Sequence, residues 1–202
     1  GTVPLSDGID TVYGICGAAW FRSLALQKDF YVLAKTAAPG DLIKVWHYNN
    51  AGMLVTDDTV DITALIPEGN TPTGVKVDSP SLSRLLVACD KSLLLIDAST
   101  PGSPTLRDAI DYTLDLGIIG PDISGVELFG EINEVLAGND SGPATYLLDG
   151  TAKKLYKANL NAEPVTLEGV LDLAEIIGEA SAVGLAVASM DGDVWLALTG
   201  DG

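Results

Sequence analysis

Short apolar runs separated by turn residues form the main pattern of this chain. The runs are rich in Val, Ile, Leu and aromatic residues, and Gly, Pro, Asn and Asp interrupt them. Such runs between turn formers predict β-strands. The clearest succession covers Ile66–Ser99, where we predict a loop followed by three strands. The pattern therefore predicts an all-β chain.

Four runs share a glycine near their start, and we predict that they are the first, innermost strands of a recurring unit. Glycine and other small residues suit strands whose backbones approach each other closely. The glycines recur at separations of 60, 51 and 59 residues, at Gly14, Gly74, Gly125 and Gly184. The four runs are residues 12–20, 73–78, 124–130 and 183–189.

A second strand is predicted after each first strand. These second strands are residues 30–35, 85–89, 134–137 and 193–198, and third strands follow at 42–48 and 92–97. The register of the third unit stays open. Its segments Thr145–Leu148 and Lys154–Asn159, around an Asp149-Gly150 turn, serve equally well as the second and third strands.

Alternating patterns predict an outer, fourth strand with one dry and one wet face. The cleanest is Leu106–Leu116, and two weaker ones extend over residues 60–66 and 165–173. The last two also show partial helical spacing, and a helix over residues 166–177 is an alternative for the last of them. The apolar positions are Leu106, Ile110, Tyr112, Leu114 and Leu116; Val60, Ile62, Ala64 and Ile66; and Val165, Leu167, Leu171 and Leu173.

Four strands in each recurring unit predict an all-β, β-propeller-like fold with four-stranded antiparallel blades. About three and a half repeats are visible, approximately residues 11–66, 70–117, 122–175 and 180–202. Residues 1–202 thus form a single propeller-like domain or part of one. An antiparallel sandwich is the competing fold, and equivalent positions for Gly74, Gly125 and Gly184 around one axis would exclude it.

An open ring would leave edge strands exposed, which promotes aggregation. We expect the chain to be a portion of a longer protein. Two alternatives are that residues 1–10 close the last blade and that partner chains cover the edges. The chain begins at Gly1 without the basic start of a signal peptide, so we expect that a leader was removed or that the chain is a trimmed product.

The stretch ITALIPEGNTPTGVKVDSPSLSRLLVACDKSLLLIDAS resembles the repeats of the YVTN and LVIVD β-propeller families. The shared elements are Ile-Pro-x-Gly, a following Pro, Gly-Val-x-Val, a Ser-Pro turn, Leu-x-Val-Ala and an Ile-Asp ending. The match is strongest over residues 62–104. This resemblance implies a propeller and no particular activity, since the repeats mostly build surface, secreted or scaffold-type proteins. The shared elements fall in this sequence on Ile66, Pro67, Gly69, Pro72, Gly74–Val77, Ser79, Pro80, Leu85–Ala88, Ile96 and Asp97.

The chain is strongly acidic, with 28 Asp+Glu against 11 Lys+Arg and a formal net charge of -17. Such a surface repels phosphate backbones and anionic membranes, so we predict neither nucleic-acid binding nor membrane insertion. Protein partners or self-assembly fit better. No apolar run is long enough to span a membrane. We expect an extracellular, surface or virion-associated location.

Two cysteines, Cys16 and Cys89, are too few for a disulfide framework. Each lies in an apolar run, where a free thiol is commonly buried. We expect buried thiols, with a single disulfide between them as the alternative.

Recurring acids near the second-strand turns are the strongest candidates for a site. Asp90, Asp140 and Asp201 follow second strands, and Glu68, Asp122 and Glu179 lie in loops predicted at the same end of the propeller. Together they could form a ring of oxygen ligands for a hard cation. Asp is also a good turn residue, and no calcium-loop spacing is present. Turn formation is the favoured interpretation.

The remaining polar and aromatic candidates have structural explanations. His47, the only histidine, is expected to make an ordinary hydrogen bond within a strand. Trp20, Trp46 and Trp195 are expected to pack between blades, and exposed rings for sugar or partner binding are the alternative. Asn139-Asp140-Ser141 is a glycosylation sequon. No nucleophile elbow or phosphate-binding glycine loop occurs.

We therefore predict a non-enzymatic β-propeller interaction or structural module of an extracellular, surface or particle assembly, such as a virion or appendage. No catalytic, cofactor-binding or metal-binding residue is predicted, and no cofactor. The alternative is a fragment of a metal-dependent propeller hydrolase or lactonase that uses acids such as Asp90 and Asp140.

Overall fold

The computed structural model describes residues 8–22, 25–77, 84–128, 144–160, 162–178, 181–190 and 193–201. For residues 17–28, 58, 128, 181–184 and 186–201 within those ranges it describes the backbone alone. Across this part of the chain the structure is almost entirely β. Its strands are β1 Ile9–Arg22, β2 Ala25–Thr36, β3 Ile43–Tyr48, β4 Val60–Asp61, β5 Pro72–Val77, β6 Arg84–Cys89, β7 Ser92–Asp97, β8 Thr105–Asp111, β9 Ile123–Leu128, β10 Thr145–Asp149, β11 Lys154–Asn159, β12 Thr166–Asp172, β13 Ser181–Met190 and β14 Asp193–Asp201.

The strands of the described residues form three four-stranded antiparallel sheets and one hairpin. We call β1–β4 blade 1, β5–β8 blade 2, β9–β12 blade 3 and the hairpin β13–β14 unit 4. Within each blade, strands pair in chain order. The innermost strands β1, β5, β9 and β13 contact one another in succession. The fold is therefore all-β and propeller-like, with about three and a half repeats, as the sequence predicts.

The four predicted glycines occupy equivalent positions. Each lies directly after an extra residue that shifts the pairing of its inner strand with the second strand, which is a β-bulge. The extra residues are Tyr13, Thr73, Ser124 and Val183. This recurrence is the result that the sandwich alternative does not explain, and it confirms the repeat.

A row of paired residues crosses each blade from its bulge glycine, and we call it the glycine row. In blade 1 the row is Gly14, Leu33, Val45 and Val60. Blade 2 has Gly74, Ala88, Leu93 and Ile110. Blade 3 has Gly125, Leu148, Leu155 and Leu171. Residues paired directly across strands lie on one face of a sheet, so each row marks the face turned toward the following unit.

The core lies between consecutive blades. One cluster joins the row of blade 1 to Val75, Val77, Leu85 and Val87 of blade 2. A second cluster joins the row of blade 2 to Val126, Leu147 and Tyr156 of blade 3. A third contains Leu148 and Leu155 of blade 3, with Leu185 of unit 4 packed against it. Consecutive sheets thus bury apolar side chains against one another.

Backbone contact at the inner strands explains why glycine is required in two of the blades. A Cβ added to Gly14 would lie 3.0 Å from the Cα of Gly74. One added to Gly74 would lie 3.3 Å from the backbone nitrogen of Val126. At Gly125 the nearest of the described atoms would be the Leu148 Cβ at 3.9 Å, an ordinary contact. The crowding is therefore between blades 1, 2 and 3.

The third blade settles the open register. β10 pairs with both β9 and β11, so residues 145–149 and 154–159 are its second and third strands. The alternative assignment is confirmed, and the assignment of residues 134–137 as the second strand is wrong. Those four residues lie outside the described part of the chain.

The alternating segments are shorter strands than predicted. β4 ends at Asp61, because the Asp61 carboxylate accepts hydrogen bonds from the backbone and hydroxyl of Thr63, where a 3-10 turn begins. β8 ends at Asp111, whose carboxylate accepts the backbone N–H of Thr113 and of Leu114. Leu114, which lies beyond the end of β8, is consequently exposed. Leu106 lies within β8 and is also exposed rather than on a dry face.

The segment of residues 166–177 is a strand followed by a short helix. β12 covers Thr166–Asp172, and helix α1 covers only Ala174–Ile177. The helical alternative is therefore wrong for its first half. None of the helices in the described residues is long and apolar enough to cross a membrane.

Candidate functional site

The turn that joins β6 to β7 places Asp90 beside the start of its own inner strand. Its Oδ1 accepts the backbone N–H of Thr71 at 2.7 Å, and its own N–H donates to the Thr71 carbonyl at 2.9 Å. Its carbonyl accepts the backbone N–H of Ile123, the first residue of blade 3, at 3.1 Å. Asp90 therefore joins the β6–β7 turn to the start of β5 in the same blade and to the start of β9 in the next blade.

Asp149 has the same role in blade 3. Its Oδ2 accepts the backbone N–H of Asp122 at 3.1 Å, and its Oδ1 accepts that of Ala152 at 2.7 Å. The side chain is fully buried. The sequence indicated Asp140 for this role, because the register of the third unit was misassigned. The Asp149-Gly150 pair at the end of an apolar run is the signal that identifies it.

Of the other predicted acids, only Glu68 and Asp122 have described side chains, and neither completes a metal-binding cluster with these two. Glu68 is exposed in the loop before β5. Asp122 accepts the Thr151 hydroxyl at 2.8 Å. Asp140 and Glu179 lie outside the described residues, and Asp201 is the last residue of β14, where the backbone alone is described. Among the described side chains, no three His, Cys, Asp or Glu come close enough to hold a metal ion.

Three polar positions two residues after the bulge glycines line up across the inner strands. They are Cys16 in β1, Lys76 in β5 and Glu127 in β9. Lys76 and Glu127 form an ion pair between blades 2 and 3. Burial raises the pKa of the Cys16 thiol to about 12, opposed by the Lys76 charge and reinforced by that of Glu127. The thiol is therefore neutral at physiological pH and is a poor nucleophile.

Cys89 is the second buried thiol. It lies at the end of β6 in the cluster between blades 1 and 2, and burial raises its pKa to about 12 with a further contribution from the Asp90 charge. Both cysteines are free. The expectation of buried thiols is confirmed, and the disulfide alternative is wrong.

His47 is bonded inside blade 1. Its Nε2 lies 2.7 Å from the Asp29 Oδ2, and both side chains are nearly buried. The ring also stacks on Tyr31, with the ring centroids 4.7 Å apart. A strand histidine with an ordinary hydrogen bond is what the sequence predicts. Asp29 is the partner that the sequence does not reveal, because strand pairing brings it close from 18 residues away.

One of the three tryptophans can be placed. Trp46 is buried with Val32, Ala34 and Tyr48 on the face of blade 1 that is turned away from blade 2. The ring is therefore a core residue and is not available for stacking on a ligand. The side chains of Trp20 and Trp195 and the sequon at residues 139–141 lie outside the described part of the structure.

Comparison with known proteins adds little to this description. No protein-family model matches the chain. No curated protein matches it. The chain is similar to the crystal structure of a protein from Lactobacillus plantarum, with 12% sequence identity and a TM-score of 0.49. The similarity covers 85% of this chain and 48% of that one, so the chain spans about half the length of that structure. The propeller-like assignment rests on the sheets themselves, and the likeness to YVTN and LVIVD repeats stays a prediction.

Proposed function

We propose that this chain is a non-enzymatic β-propeller module that acts through protein contacts in an extracellular, surface or particle assembly. One observation carries the proposal. The acids at the turns, the residues best suited to bind a cation, accept hydrogen bonds from the chain's own backbone at Thr71, Asp122 and Ala152. They stabilise the blades, as turn-forming aspartates commonly do.

The other reactive groups also have structural partners. Lys76 is paired with Glu127, and His47 with Asp29. Burial keeps the thiols of Cys16 and Cys89 protonated through their raised pKa values. A hydrolytic site needs a nucleophile or bound water with a base that is not already committed to a stabilising bond. This arrangement favours a scaffold over a catalyst.

The charge is compatible with an exposed role. A net charge of -17 keeps the chain soluble at high concentration and favours basic protein surfaces over nucleic acid. The charge supports an extracellular, surface or particle assembly equally.

A metal-dependence assay distinguishes this proposal from the hydrolase alternative. The chain is incubated with lactone and aryl-ester substrates in the presence of Ca²⁺, Mg²⁺, Mn²⁺ or Zn²⁺, and cation binding is measured by calorimetry. We expect no stoichiometric binding and no turnover above the metal-only control.

Two variants make the assay specific. Asp90→Asn and Asp149→Asn each change one turn acid, and Asp108→Asn in β8 is a matched exposed control. Metal-dependent hydrolysis that Asp90→Asn or Asp149→Asn abolishes, and Asp108→Asn does not, would overturn the proposal in favour of the hydrolase.

A further inference from the structure

The connection between blades 2 and 3, residues 112–122, holds two large apolar side chains in solvent. Leu114 is 83% exposed and Ile119 is 93% exposed, the highest values for large hydrophobic side chains in the described residues. Blades lie on both sides of this connection. Unlike Ile15 and Leu171, these two side chains therefore do not face an open end of the row of blades.

Hydrogen bonds within the loop fix its conformation. The Asp115 N–H donates to the Asp111 carbonyl at 2.9 Å, and the Asp115 carboxylate accepts the Asp111 N–H at 2.7 Å. The Ile118 N–H donates to the Tyr112 carbonyl at 2.9 Å, and the Thr113 hydroxyl donates to the Ile118 carbonyl at 3.0 Å. The loop is thus formed before any partner arrives, which lowers the entropy cost of binding.

Three buried side chains anchor the same loop to the core. Tyr112, Leu116 and Ile118 belong to the cluster between blades 2 and 3. Leu114 lies between the first two and Ile119 follows the third, and neither belongs to that cluster. The packing of the described residues therefore does not require an apolar side chain at either position.

The two exposed side chains leave the loop from neighbouring positions. Leu114 directly follows Thr113, and Ile119 directly follows Ile118. The bond between the Thr113 hydroxyl and the Ile118 carbonyl holds these two points of the loop together. Exposed apolar side chains that stand singly are normal on a protein surface, whereas adjoining ones mark interaction sites. Leu114 and Ile119 form such an apolar patch.

The patch lies at one end of the blades, over the β6–β7 turn. The Tyr112 N–H, at the start of the loop, donates to the Lys91 carbonyl at 3.2 Å. The Ile123 N–H, just after the loop, donates to the Asp90 carbonyl at 3.1 Å. The loop therefore spans that turn. Blades stand side by side around an axis, so a further blade would lie beside blade 1 or unit 4 and not over this end.

Negative charge surrounds the patch. Residues 108–122 carry four acids and no lysine or arginine, the acids being Asp108, Asp111, Asp115 and Asp122. Lys91, in the turn that the loop spans, donates to the Gly69 carbonyl at 2.7 Å and lies 3.8 Å from the Asp90 carboxylate. The surroundings of the patch are therefore acidic, which favours a cationic partner.

We propose that the 112–122 loop is a docking site for a basic, amphipathic segment of another protein. Apolar side chains of that segment cover Leu114 and Ile119, and its lysine or arginine side chains face Asp115 and Asp122. The inference rests on the proposed function, since it names the surface and the partner chemistry of the interaction module. A second copy of the chain does not fit, because each copy carries a net charge of -17 and the same acidic loop.

Three synthetic peptides test the proposal by fluorescence anisotropy. Each has about 18 residues, long enough to form a helix. The first has a leucine face and a lysine face, the second replaces each lysine by glutamate, and the third replaces each leucine by alanine. We expect the leucine–lysine peptide to bind at least about tenfold more tightly than the other two, because it alone supplies both kinds of contact. Added NaCl should weaken its binding without abolishing it, since salt screens only the charges.

Variants of the chain locate the contact. Leu114→Ser combined with Ile119→Ser should raise the dissociation constant of the leucine–lysine peptide at least about tenfold, because both apolar contacts are lost. Met53→Ser changes a 61% exposed side chain in the β3–β4 connection, at the other end of the blades, and should leave that constant within about twofold. Asp122→Asn should raise the constant about two- to fivefold at low salt and have no effect at high salt. Unchanged far-UV circular dichroism establishes that the variants are folded.

Four results would overturn the inference, and each would leave the proposed interaction module standing. The leucine–lysine peptide fails to bind, or the glutamate peptide binds equally well. The double serine variant binds the peptide as tightly as the unchanged chain, so the contact lies elsewhere. The chain self-associates and the double variant abolishes that association, so the partner is a second copy. Metal-dependent turnover, in contrast, would remove the proposed function and leave the peptide titrations unaffected.

Discussion

Blades 2 and 3 are separate sheets with the same four-stranded architecture, but they differ in the face that each turns toward the next unit. Leu95 of blade 2 and Lys157 of blade 3 are equivalent, since they pair with Leu86 and Tyr146 at matching levels. Leu95 is buried, whereas Lys157 is partly exposed and paired with Glu168 at 2.8 Å. This repeat position is thus apolar and buried in blade 2, which blade 3 covers, and polar and partly exposed in blade 3.

Leu171, which pairs with Leu155 on the same face of blade 3, is apolar although it is 47% exposed. This face of blade 3, which we call the open face, therefore has a polar half and an apolar half. The difference between the two blades teaches that burial is set by the neighbouring unit and not by the blade itself. The predictions below probe this contrast in order of decreasing effect.

The largest effect is expected for thiol labelling. Cys16 and Cys89 lie in the closed interface between blades 1 and 2, and burial raises both pKa values from 9.0 to about 12. Each pKa unit lowers the thiolate fraction tenfold, so labelling at pH 8 should be slowed by roughly a thousand-fold relative to the unfolded chain. Stopped-flow labelling with a disulfide reagent measures the rates.

A cysteine in the open face gives the matched comparison. Leu171→Cys should be labelled at close to the rate of the unfolded chain when the protein is dilute. A slow rate at that site would show that the face is covered and would contradict the contrast. The same raised pKa values make the folded state lose stability as the pH rises from 9 toward 12, because the unfolded thiols ionise first.

Truncation of the equivalent row residues should separate the two blades next. Ile110→Ala removes buried methyl groups between blades 2 and 3 and should cost about 2–5 kcal/mol of unfolding free energy. Leu171→Ala removes a half-exposed side chain and should cost less than about 1 kcal/mol. Urea denaturation of dilute protein measures both. Equal losses would show that blade 3 is as well covered as blade 2.

The bulge glycines should show a graded response. Gly14→Ala and Gly74→Ala place a Cβ against backbone atoms of the next blade and should cost about 1–3 kcal/mol each. Among the described residues, Gly125→Ala meets only an ordinary contact and should change stability by less than about 1 kcal/mol. Thermal unfolding followed by circular dichroism provides the comparison. A Gly125→Ala loss as large as the others would refute the inferred spacing.

Removing a turn acid should have a smaller, position-dependent effect. Asp149→Ala leaves the backbone N–H groups of Asp122 and Ala152 without their acceptor at a buried site and should cost about 1–3 kcal/mol. Asp90→Ala exposes the Thr71 N–H to water and should cost about 1 kcal/mol or less. Chemical denaturation of both variants measures the two losses of unfolding free energy. A larger loss at Asp90 than at Asp149 would contradict the role of burial.

The smallest effect is expected at the polar half of the open face. Lys157→Ala should cost about 0–1 kcal/mol, because the pair with Glu168 is exposed and screened by salt. The hydrogen bond to Glu168 raises the pKa of Lys157, so the contribution is present at neutral pH and is lost as the pH rises through that raised value. A double-mutant cycle with Glu168→Ala isolates it. Coupling that persists in 1 M NaCl would contradict an exposed pair.

Much of the fold can be predicted from the sequence, because the units carry the same pattern of a glycine and apolar runs. The bulge glycines and the apolar runs after them identify the inner strands in all four units, and β7 begins and ends where the pattern predicts. The prediction of the second strand is wrong in the third unit, where an apolar run at residues 134–137 precedes β10 in the sequence. The local pattern alone does not show which apolar run pairs with β9.

The site is less predictable, since its contacts join distant residues. Asp90 could be identified as a turn acid from its position after β6, but its bond to Thr71 depends on how the strand ends meet. Asp29 and His47 lie 18 residues apart, and Lys76 and Glu127 belong to different blades. The types of these side chains suggested catalytic or binding roles, but strand pairing gives each of them a structural partner.

The bonds at Asp90 have a consequence for how the protein unfolds. Its carboxylate accepts the N–H of Thr71, just before β5 of blade 2, and its main-chain carbonyl accepts the N–H of Ile123, the first residue of blade 3. Opening this one turn therefore releases hydrogen bonds in two blades at once. The amide hydrogens of Thr71, Asp90 and Ile123 should therefore exchange with solvent together, at the rate at which this turn opens.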